Sequence, residues 1–319
     1  MSFRRFLRAT GSRSLSAKPR DEDIEDECAG EVTVHPESHK PTCVWDAMKN
    51  RSSTVCRVVQ PINPDIPIPE GAVRFVCISD THNQAARLLP TIPDGDILIH
   101  AGDFTNIGRP REIKRFNEFL GQLPHRHKVV IAGNHEVTFD RQLMTEQSSH
   151  VFMSFATALQ EVKQEDWKHI PSLLTNCTYL EDAEVNIMGF RIYGSPWQPE
   201  FCDWAFNLPR GQPLLDKWNL IPAGIDVLVT HGPPLGHGDL TTSKERAGCV
   251  ELLTTIQRRV KPKYHIFGHI HEGYGVTTDN KTTFINASIC TVNYSPSNKP
   301  IVFDLPTPKV PNMEAETSV

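Results

Sequence analysis

Five short apolar runs, each closed by a cluster of polar residues, limit the folds open to this chain. Arg74 to Ser79, Asp96 to His100, Lys128 to Ala132, Ile225 to Thr230 and Tyr264 to Phe267 are rich in Val, Ile and Phe. Runs of this length and composition read as strands buried on both faces. Helical patterns lie between them. Pro110 to Leu123 places Phe116, Phe119, Leu120 and Leu123 on one face, with Pro110 suited to the first turn, and Glu245 to Val260 aligns Val250, Leu253, Ile256 and Val260. Glu184 to Tyr193 reads as a hairpin turning near Met188 and Gly189, while Thr282 to Ile289 and Lys299 to Leu305 read as closing strands. This alternation implies a layered α/β domain in which helices cover the sheets.

In such folds reactive groups collect in loops at the carboxyl ends of strands, where side chains point into a crevice rather than the core. The unusual residues of this chain fall there. Its strands run into Asp80-Thr81-His82, Gly102-Asp103, Gly133-Asn134-His135-Glu136, His231-Gly232-Pro233 and Gly268-His269-Ile270-His271. Asp80 and His82, two positions apart on an extended segment, are expected to face the same way. Singly, each residue has an ordinary explanation. An Asp after a strand is commonly a turn former or helix cap, and a lone His is more often a hydrogen-bonded structural residue than a ligand. Five strand ends carrying carboxylate, amide and imidazole groups in succession are hard to assemble by chance. Imidazole nitrogen together with carboxylate oxygen suits Mn, Fe or Zn rather than the all-oxygen preference of calcium. The glycines beside Asp103, Asn134 and His269 either form tight turns or let the backbone approach an ion or phosphate closely.

The strings D-x-H, G-D, G-N-H-E, T-H-G-P-P and G-H-x-H, taken in this order from roughly Arg74 to Leu305, resemble the calcineurin-like metallophosphoesterases. The resemblance implies a four-layer αββα sandwich with two mixed sheets and a metal site at the strand ends. It also implies that Asp80, His82 and His271 hold one divalent ion, that Asn134, His231 and His269 hold a second, and that Asp103 bridges both. Asn134 and His135 would sit beside the substrate phosphate. Two cations about 3.5–4 Å apart turn a shared water into hydroxide near neutral pH and clamp a phosphate for in-line attack. His135 and Asp103 are then the catalytic candidates, with His135 stabilising or protonating the leaving oxygen. Glu136 is expected to orient a ligand through a hydrogen bond rather than to touch metal.

A finer resemblance is carried by Arg74 to Asp80, Asn207 to Gly211, Leu215 to Pro222 and Phe267 to Gly275, which are similar to the metallophosphoesterase-domain-containing proteins of animals. It implies phosphodiesterase activity on small nucleotide esters, including cyclic nucleotides, with Mn²⁺ favoured and Fe or Zn as alternatives. Some members of that subfamily carry glycine at the position of His269 and are weak enzymes that bind nucleoside monophosphates. With His269 in place, this chain is expected to be the more active kind. The segment Gly102 to Gly108 lacks the Asp and Arg that follow this motif in protein serine/threonine phosphatases, which ranks protein substrates low. Trp197, Phe201, Trp204 and Phe206 either stack a nucleobase or pack on the core. His237 is kept out of the catalytic set, and Arg210 pairs either with phosphate or with a surface carboxylate. Two other readings stay open. One is a nucleotide-binding regulatory or scaffold protein with weak catalysis, because one retromer subunit uses this fold for protein contacts. The other is a phosphomonoesterase or nuclease with a differently shaped pocket.

Composition narrows the setting. At 39% hydrophobic and 22% charged residues the chain is of ordinary globular type, and no apolar run approaches the roughly 20 residues that span a bilayer. A net charge of −5 gives no basic footprint, so a nucleic-acid polymer is a poor candidate; the resemblance implies a small phosphate ester or nucleotide as the partner, and no membrane is expected. The eight cysteines are scattered without a CxxC pair, and Cys77, Cys249 and Cys290 lie in apolar segments as expected of buried thiols in a reducing compartment. Residues 1–70 read as a partly disordered or extended N-terminal extension, residues 71–306 as the metallophosphoesterase domain and residues 307–319 as a tail. The first twenty residues carry Arg4, Arg5, Arg8, Arg13, Lys18 and Arg20 with no acid, as a mitochondrial transit peptide or a flexible basic tail does. Asp21 to Glu31 reverses the sign, and Pro61 to Pro69 suits an extended lead-in. A cytoplasmic location is expected, with a mitochondrial one as the alternative.

Overall fold

The apolar runs fold as expected into strands of two sheets. In chain order the elements that frame the molecule are α1 (Pro41–Met48), β1 (Arg57–Val59), β2 (Ala72–Ile78), β3 (Ile97–His100), α2 (Pro110–Gln122), β4 (His127–Val130) and β5 (Thr178–Tyr179). There follow β6 (Ala183–Ile187), β7 (Phe190–Ser195), β8 (Gln198–Pro199), β9 (Asn207–Leu208), β10 (Val227–Thr230), β11 (Tyr264–Phe267), β12 (Gly275–Thr278), β13 (Thr283–Asn286) and β14 (Ile301–Pro306). The computed structural model describes residues 31–51, 54–145 and 164–308, so the basic and acidic N-terminal stretches and most of the C-terminal tail lie outside the described residues.

One sheet has the order β14-β2-β3-β4-β5 and the other the order β1-β12-β13-β11-β10-β7-β6. Within the first, β2 through β5 run parallel, and β14 closes the edge antiparallel. Within the second, β7, β10, β11 and β13 are parallel, flanked by antiparallel β6 and β12. Both sheets are therefore mixed. Alternation along the strands sets the layers. Phe75 and Cys77 of β2, Ile97 and Ile99 of β3 and Phe303 of β14 meet Ile192, Val227, Val229, Ile266 and Ile285 of the other sheet in one core. The Phe75 ring stacks on Phe303 at 4.7 Å and meets Phe190 edge-on at 5.4 Å, joining the two sheets. The opposite face of the five-stranded sheet, with Val76, Leu98 and Val130, packs on Ile113, Phe116 and Phe119 of α2. The outer face of the seven-stranded sheet, with Tyr193, Leu228 and Phe284, packs on Leu214 and Trp218 of the helix Gln212–Asn219 and Leu253 of the helix Val250–Thr255. Helix, sheet, sheet and helix thus make the expected four-layer αββα arrangement.

Two local expectations change. The sequence predicts a helix over Glu245 to Val260, but the α-helix begins at Val250. Ahead of it the backbone is committed elsewhere: Leu240 bridges Arg246, Pro234 bridges Cys249, and the Arg210 guanidinium binds the carbonyls of Ala247 and Gly248 at 2.6 and 2.7 Å. The sequence also predicts an extended lead-in before residue 70. Instead α1 buries Val44 and Trp45, and β1 pairs antiparallel with β12 at the edge of the larger sheet. The Trp45 ring lies where a Cβ at Gly236 would stand, and the Arg246 guanidinium sits 4.8 Å from its centroid. The segment is missed because three exposed residues of β1 and two buried residues of α1 produce almost no periodic signal.

Trp45→Ala is expected to lower unfolding stability by about 3 kcal/mol, the scale for truncating a buried tryptophan. Urea denaturation measures it, and a change below about 0.5 kcal/mol, typical of a surface position, would instead fit a lead-in that contributes nothing to the core.

Candidate metal centre

Parallel pairing brings the carboxyl ends of β2, β3 and β4 to one rim, and those of β10, β11 and β13 to the rim of the facing sheet. The two rims are joined directly. Ser79, just past β2, bridges Ser288, just past β13, and the N–H of Ile289 donates to the Ser79 carbonyl at 2.8 Å. All seven residues singled out as ligands in the sequence converge at this junction. Asp80, His82 and His271 form one group whose ligand atoms lie within 4.8 Å of one another, and Asp103, His231 and His269 form another. The Asp103 carboxylate touches both: its Oδ2 lies 3.3 Å from His231 Nε2 and 4.0 Å from His82 Nε2. Asn134 Oδ1 sits between His231 Nε2 at 3.0 Å and His269 Nδ1 at 2.8 Å.

The local backbone differs from the extended segment expected for Asp80 and His82. Asp80, His82, Asp103 and His269 all adopt left-handed conformations, with φ of 52°, 40°, 56° and 66°. Such conformations are unfavourable for residues with a Cβ and cluster at functional sites. The turns are held by backbone bonds across the site, as from His82 N–H to the Asp103 carbonyl at 3.0 Å. The neighbouring glycines supply space rather than turn geometry alone. A Cβ on Gly268 would collide with Asp80 Oδ2 and Ser79 Oγ, and one on Gly133 with Asp103 Oδ1 and the His231 ring.

A second set of contacts aims the ligands. His231 Nδ1 donates to the Ala101 carbonyl at 2.8 Å and His271 Nδ1 to the Thr291 carbonyl at 3.0 Å, so each ring is held with its Nε2 toward the cluster. His135 Nδ1 is likewise tied to the Asn106 carbonyl at 2.8 Å, which leaves its Nε2 3.9 Å from Asp103 Oδ2. Asp80 accepts from Ser288 Oγ at 2.8 Å and from the His269 N–H at 3.0 Å, while Asp103 Oδ1 accepts from the His135 N–H at 2.9 Å. Glu136 is fully buried and accepts from the N–H groups of Gly133, Asp103 and Thr105 and from Thr105 Oγ1, all at 2.7–2.8 Å. It ties the second and third strand-end loops together through their backbones. This is the supporting role expected of it, exerted on the loops rather than on a ligand side chain.

Burial and charge set opposite tendencies among the imidazoles. Burial pushes His82 down to about 4 and His269 down to about 3. Burial also opposes charge on His231 and His271, but Asp103 and Asp80 outweigh it and raise His231 to about 9, and Asp80 raises His271 to about 8. In return, though burial works against ionisation, His231 and His135 hold Asp103 well below the ordinary carboxylate range, and His271 and His231 do so for Asp80. Ionised carboxylates beside imidazole and amide groups form a donor set that fits a divalent transition-metal ion.

The four aromatics of the 197–206 region divide. Phe206 is buried, and Trp197 donates to Asp182 and meets Phe206 edge-on at 5.4 Å, so these two belong to the core. Trp204 packs on the His135 ring at 4.2 Å, and exposed Phe201 meets the His269 ring edge-on at 5.8 Å. The Arg210 guanidinium donates to the backbone carbonyls of Ala247 and Gly248. His237 is buried and stacks on Phe284 at 3.8 Å. Two residues of the site escape sequence reasoning: Tyr294, whose ring lies 4.7 Å from His82 and 5.4 Å from His271, and Ser288. Tyr294 lies in a loop without periodic pattern, Ser288 falls within the expected strand Thr282 to Ile289 but past the end of β13 at Asn286, and no motif spacing points to either. A cavity of about 310 Å³ lined by Leu240, Thr242, Lys244, Arg246 and Glu272 contains none of the seven ligands. Cys77, Cys249 and Cys290 are buried free thiols as expected, and no helix among the described residues is long and apolar enough to cross a membrane.

A double-sheet sandwich with imidazole, amide and carboxylate groups at its joined strand ends is the framework of a metal-dependent phosphoesterase. The chain belongs to the calcineurin-like phosphoesterase family, whose model matches residues 73–273. It is 58% identical to metallophosphoesterase domain-containing protein 1 of Homo sapiens and of Mus musculus over 254 residues, which are 79% of this chain and 77% of each relative. A UPF0046 protein of Caenorhabditis elegans is 46% identical over 299 residues, 91% of this chain and 74% of that protein.

The raised imidazoles make a pH prediction for metal uptake. His231 and His271 carry protons at neutral pH in the metal-free protein, because their folded values of about 9 and about 8 exceed the ordinary 6.5. A cation must displace those protons, so affinity rises as pH rises through that window. Calorimetry with Mn²⁺ is expected to show binding at least about tenfold tighter at pH 8.5 than at pH 6.5, with proton release at the lower pH. Equal affinity at both would contradict the assigned charge states.

Proposed function

We propose that this protein is a dinuclear metallophosphodiesterase that hydrolyses small phosphate esters, cyclic nucleotides above all, with Mn²⁺ as the favoured ion and Fe or Zn as alternatives. The observation that carries the reading is the reach of Asp103 Oδ2 to both His231 and His82, which lets one carboxylate serve two ligand groups. Asp80, His82 and His271 would hold one cation, and Asn134, His231 and His269 the other. Bound there, divalent ions supply Lewis acidity to phosphoryl oxygens and a water acidic enough to attack near neutral pH.

The chain's own groups do the rest. Asn134 turns its Oδ1 toward the two imidazoles, which leaves the Nδ2 hydrogens to donate to a phosphate oxygen. His135 is locked by its Nδ1 bond and by Trp204, so the imidazolium form, with a hydrogen on each nitrogen, could pass its Nε2 proton to the leaving oxygen without first reorienting. Exposed Phe201 beside His269 suits an ester that carries a flat base. A small nucleotide substrate also accords with a chain that has no excess of basic residues.

The test is turnover of 2′,3′- and 3′,5′-cyclic nucleotides, mononucleotides and an aryl phosphodiester by metal-depleted protein given Mn²⁺, Zn²⁺ or Mg²⁺. Diester hydrolysis is expected to return with Mn²⁺, and His135→Ala, Asn134→Ala and His269→Gly are each expected to lower kcat by roughly 100-fold. Unchanged activity in these variants, or faster hydrolysis of mononucleotides than of diesters, would sink the proposal.

A further inference from the structure

Tyr294 sits in the loop after β13, and its backbone is fixed in a left-handed conformation with φ of 56°. Glycine or asparagine fills such positions far more easily, and an aromatic residue held there in a loop needs a reason. The loop is tightly specified. The Tyr294 N–H donates to the Thr291 carbonyl at 2.7 Å, the Thr291 N–H donates to the Ser295 carbonyl at 2.9 Å, and Gln84 Nε2 donates to the Tyr294 carbonyl at 2.7 Å. The same Thr291 carbonyl accepts from His271 Nδ1, so one short turn aims both a ligand imidazole and the tyrosine.

The ring it positions does not enter the core. Half of Tyr294 remains exposed, while its ring lies roughly perpendicular to those of His82 and His271 and 6.5 Å from that of His135. Phe201, 57% exposed, stands against His269, on the other ligand group. The loop that carries it is also strained, with Cys202 and Asp203 at φ of 54° and 52°. Two constrained loops thus present two exposed aromatic rings, one beside each ligand group.

We propose that Tyr294 is a specificity-determining residue whose exposed ring stacks on the planar aromatic group of the substrate, a nucleobase or an aryl substituent, when the phosphate lies at the Asp80, His82 and His271 group. The inference rests on the phosphoester reading only for where the phosphate sits. Stacking of a base on an aromatic side chain is sequence-tolerant, because every base has a π-face, so Tyr294 selects for a base without choosing which one.

Equilibrium binding tests it independently of turnover. Full-length protein loaded with Mn²⁺ is titrated with AMP and with ribose 5-phosphate, which share sugar and phosphate and differ in the base. Wild type is expected to favour AMP, Tyr294→Phe to keep that preference, and Tyr294→Ala to lose roughly five- to twentyfold of it through weaker AMP binding. Wild type with no preference for AMP overturns the proposal, as does a Tyr294→Ala variant that retains it. Equal weakening of both ligands also overturns it, since Tyr294 would then only be bracing His82 and His271. Failure of the hydrolysis assay together with the expected binding pattern would remove the diesterase reading and leave this inference standing.

Discussion

Two carboxylates kept ionised in the interior set the terms for the architecture around them. Asp80 and Asp103 are essentially fully buried, and desolvating such groups costs several kcal/mol unless donors or cations surround them. The donors come from both sheets. Asp80, on the five-stranded side, accepts from His269 and Ser288 of the seven-stranded side, and Asp103 faces His231 across the same seam. The charges that a cation would complete are therefore also what fastens one sheet to the other at their carboxyl ends. This explains the density of special backbone there. Ligand residues occupy left-handed conformations, and the glycines next to them are small because their neighbours' carboxylates and rings fill the space.

Rigid support behind the site makes that strain sustainable. Phe75 between Phe303 and Phe190 locks the sheet pair, and fully buried Glu136 collects donors from two ligand loops. The mobile choices of an active site, namely which way an imidazole turns and which nitrogen carries hydrogen, are settled by carbonyls of Ala101, Asn106 and Thr291. These belong to the ends of β3, its following loop and the turn after β13, so element packing is transmitted directly into ligand orientation. Phe201, Trp204 and Tyr294 then build an aromatic edge on loops outside the sheets, beside His269, His135 and His82.

Much of this can be read from the sequence. Strands buried on both faces leave continuous apolar runs, and the residues just past them are polar for a reason the core cannot supply, so Asp80, Asp103, Asn134, His231 and His269 stand out from residue pattern alone. Contributions made through backbone or from loops are not visible there. Ser288 acts by one hydroxyl, and Tyr294 by a turn whose left-handed conformation no local pattern announces. The helix expected ahead of Val250 fails for the converse reason: its apolar spacing extends only from Val250, and Arg210, distant in sequence, claims the carbonyls of Ala247 and Gly248. Helix α1 escapes because only Val44 and Trp45 of its eight residues are buried.

In the proposed function Asp103 joins two ligand groups into a site for two neighbouring cations. Electron paramagnetic resonance of the protein titrated with Mn²⁺ addresses that pairing without reference to any substrate, since two ions sharing a carboxylate couple magnetically. Two Mn²⁺ per chain with a coupled signal are expected in wild type, and a single uncoupled ion in His269→Gly. One ion per wild-type chain, or two that remain uncoupled, is incompatible with Asp103 as a bridge.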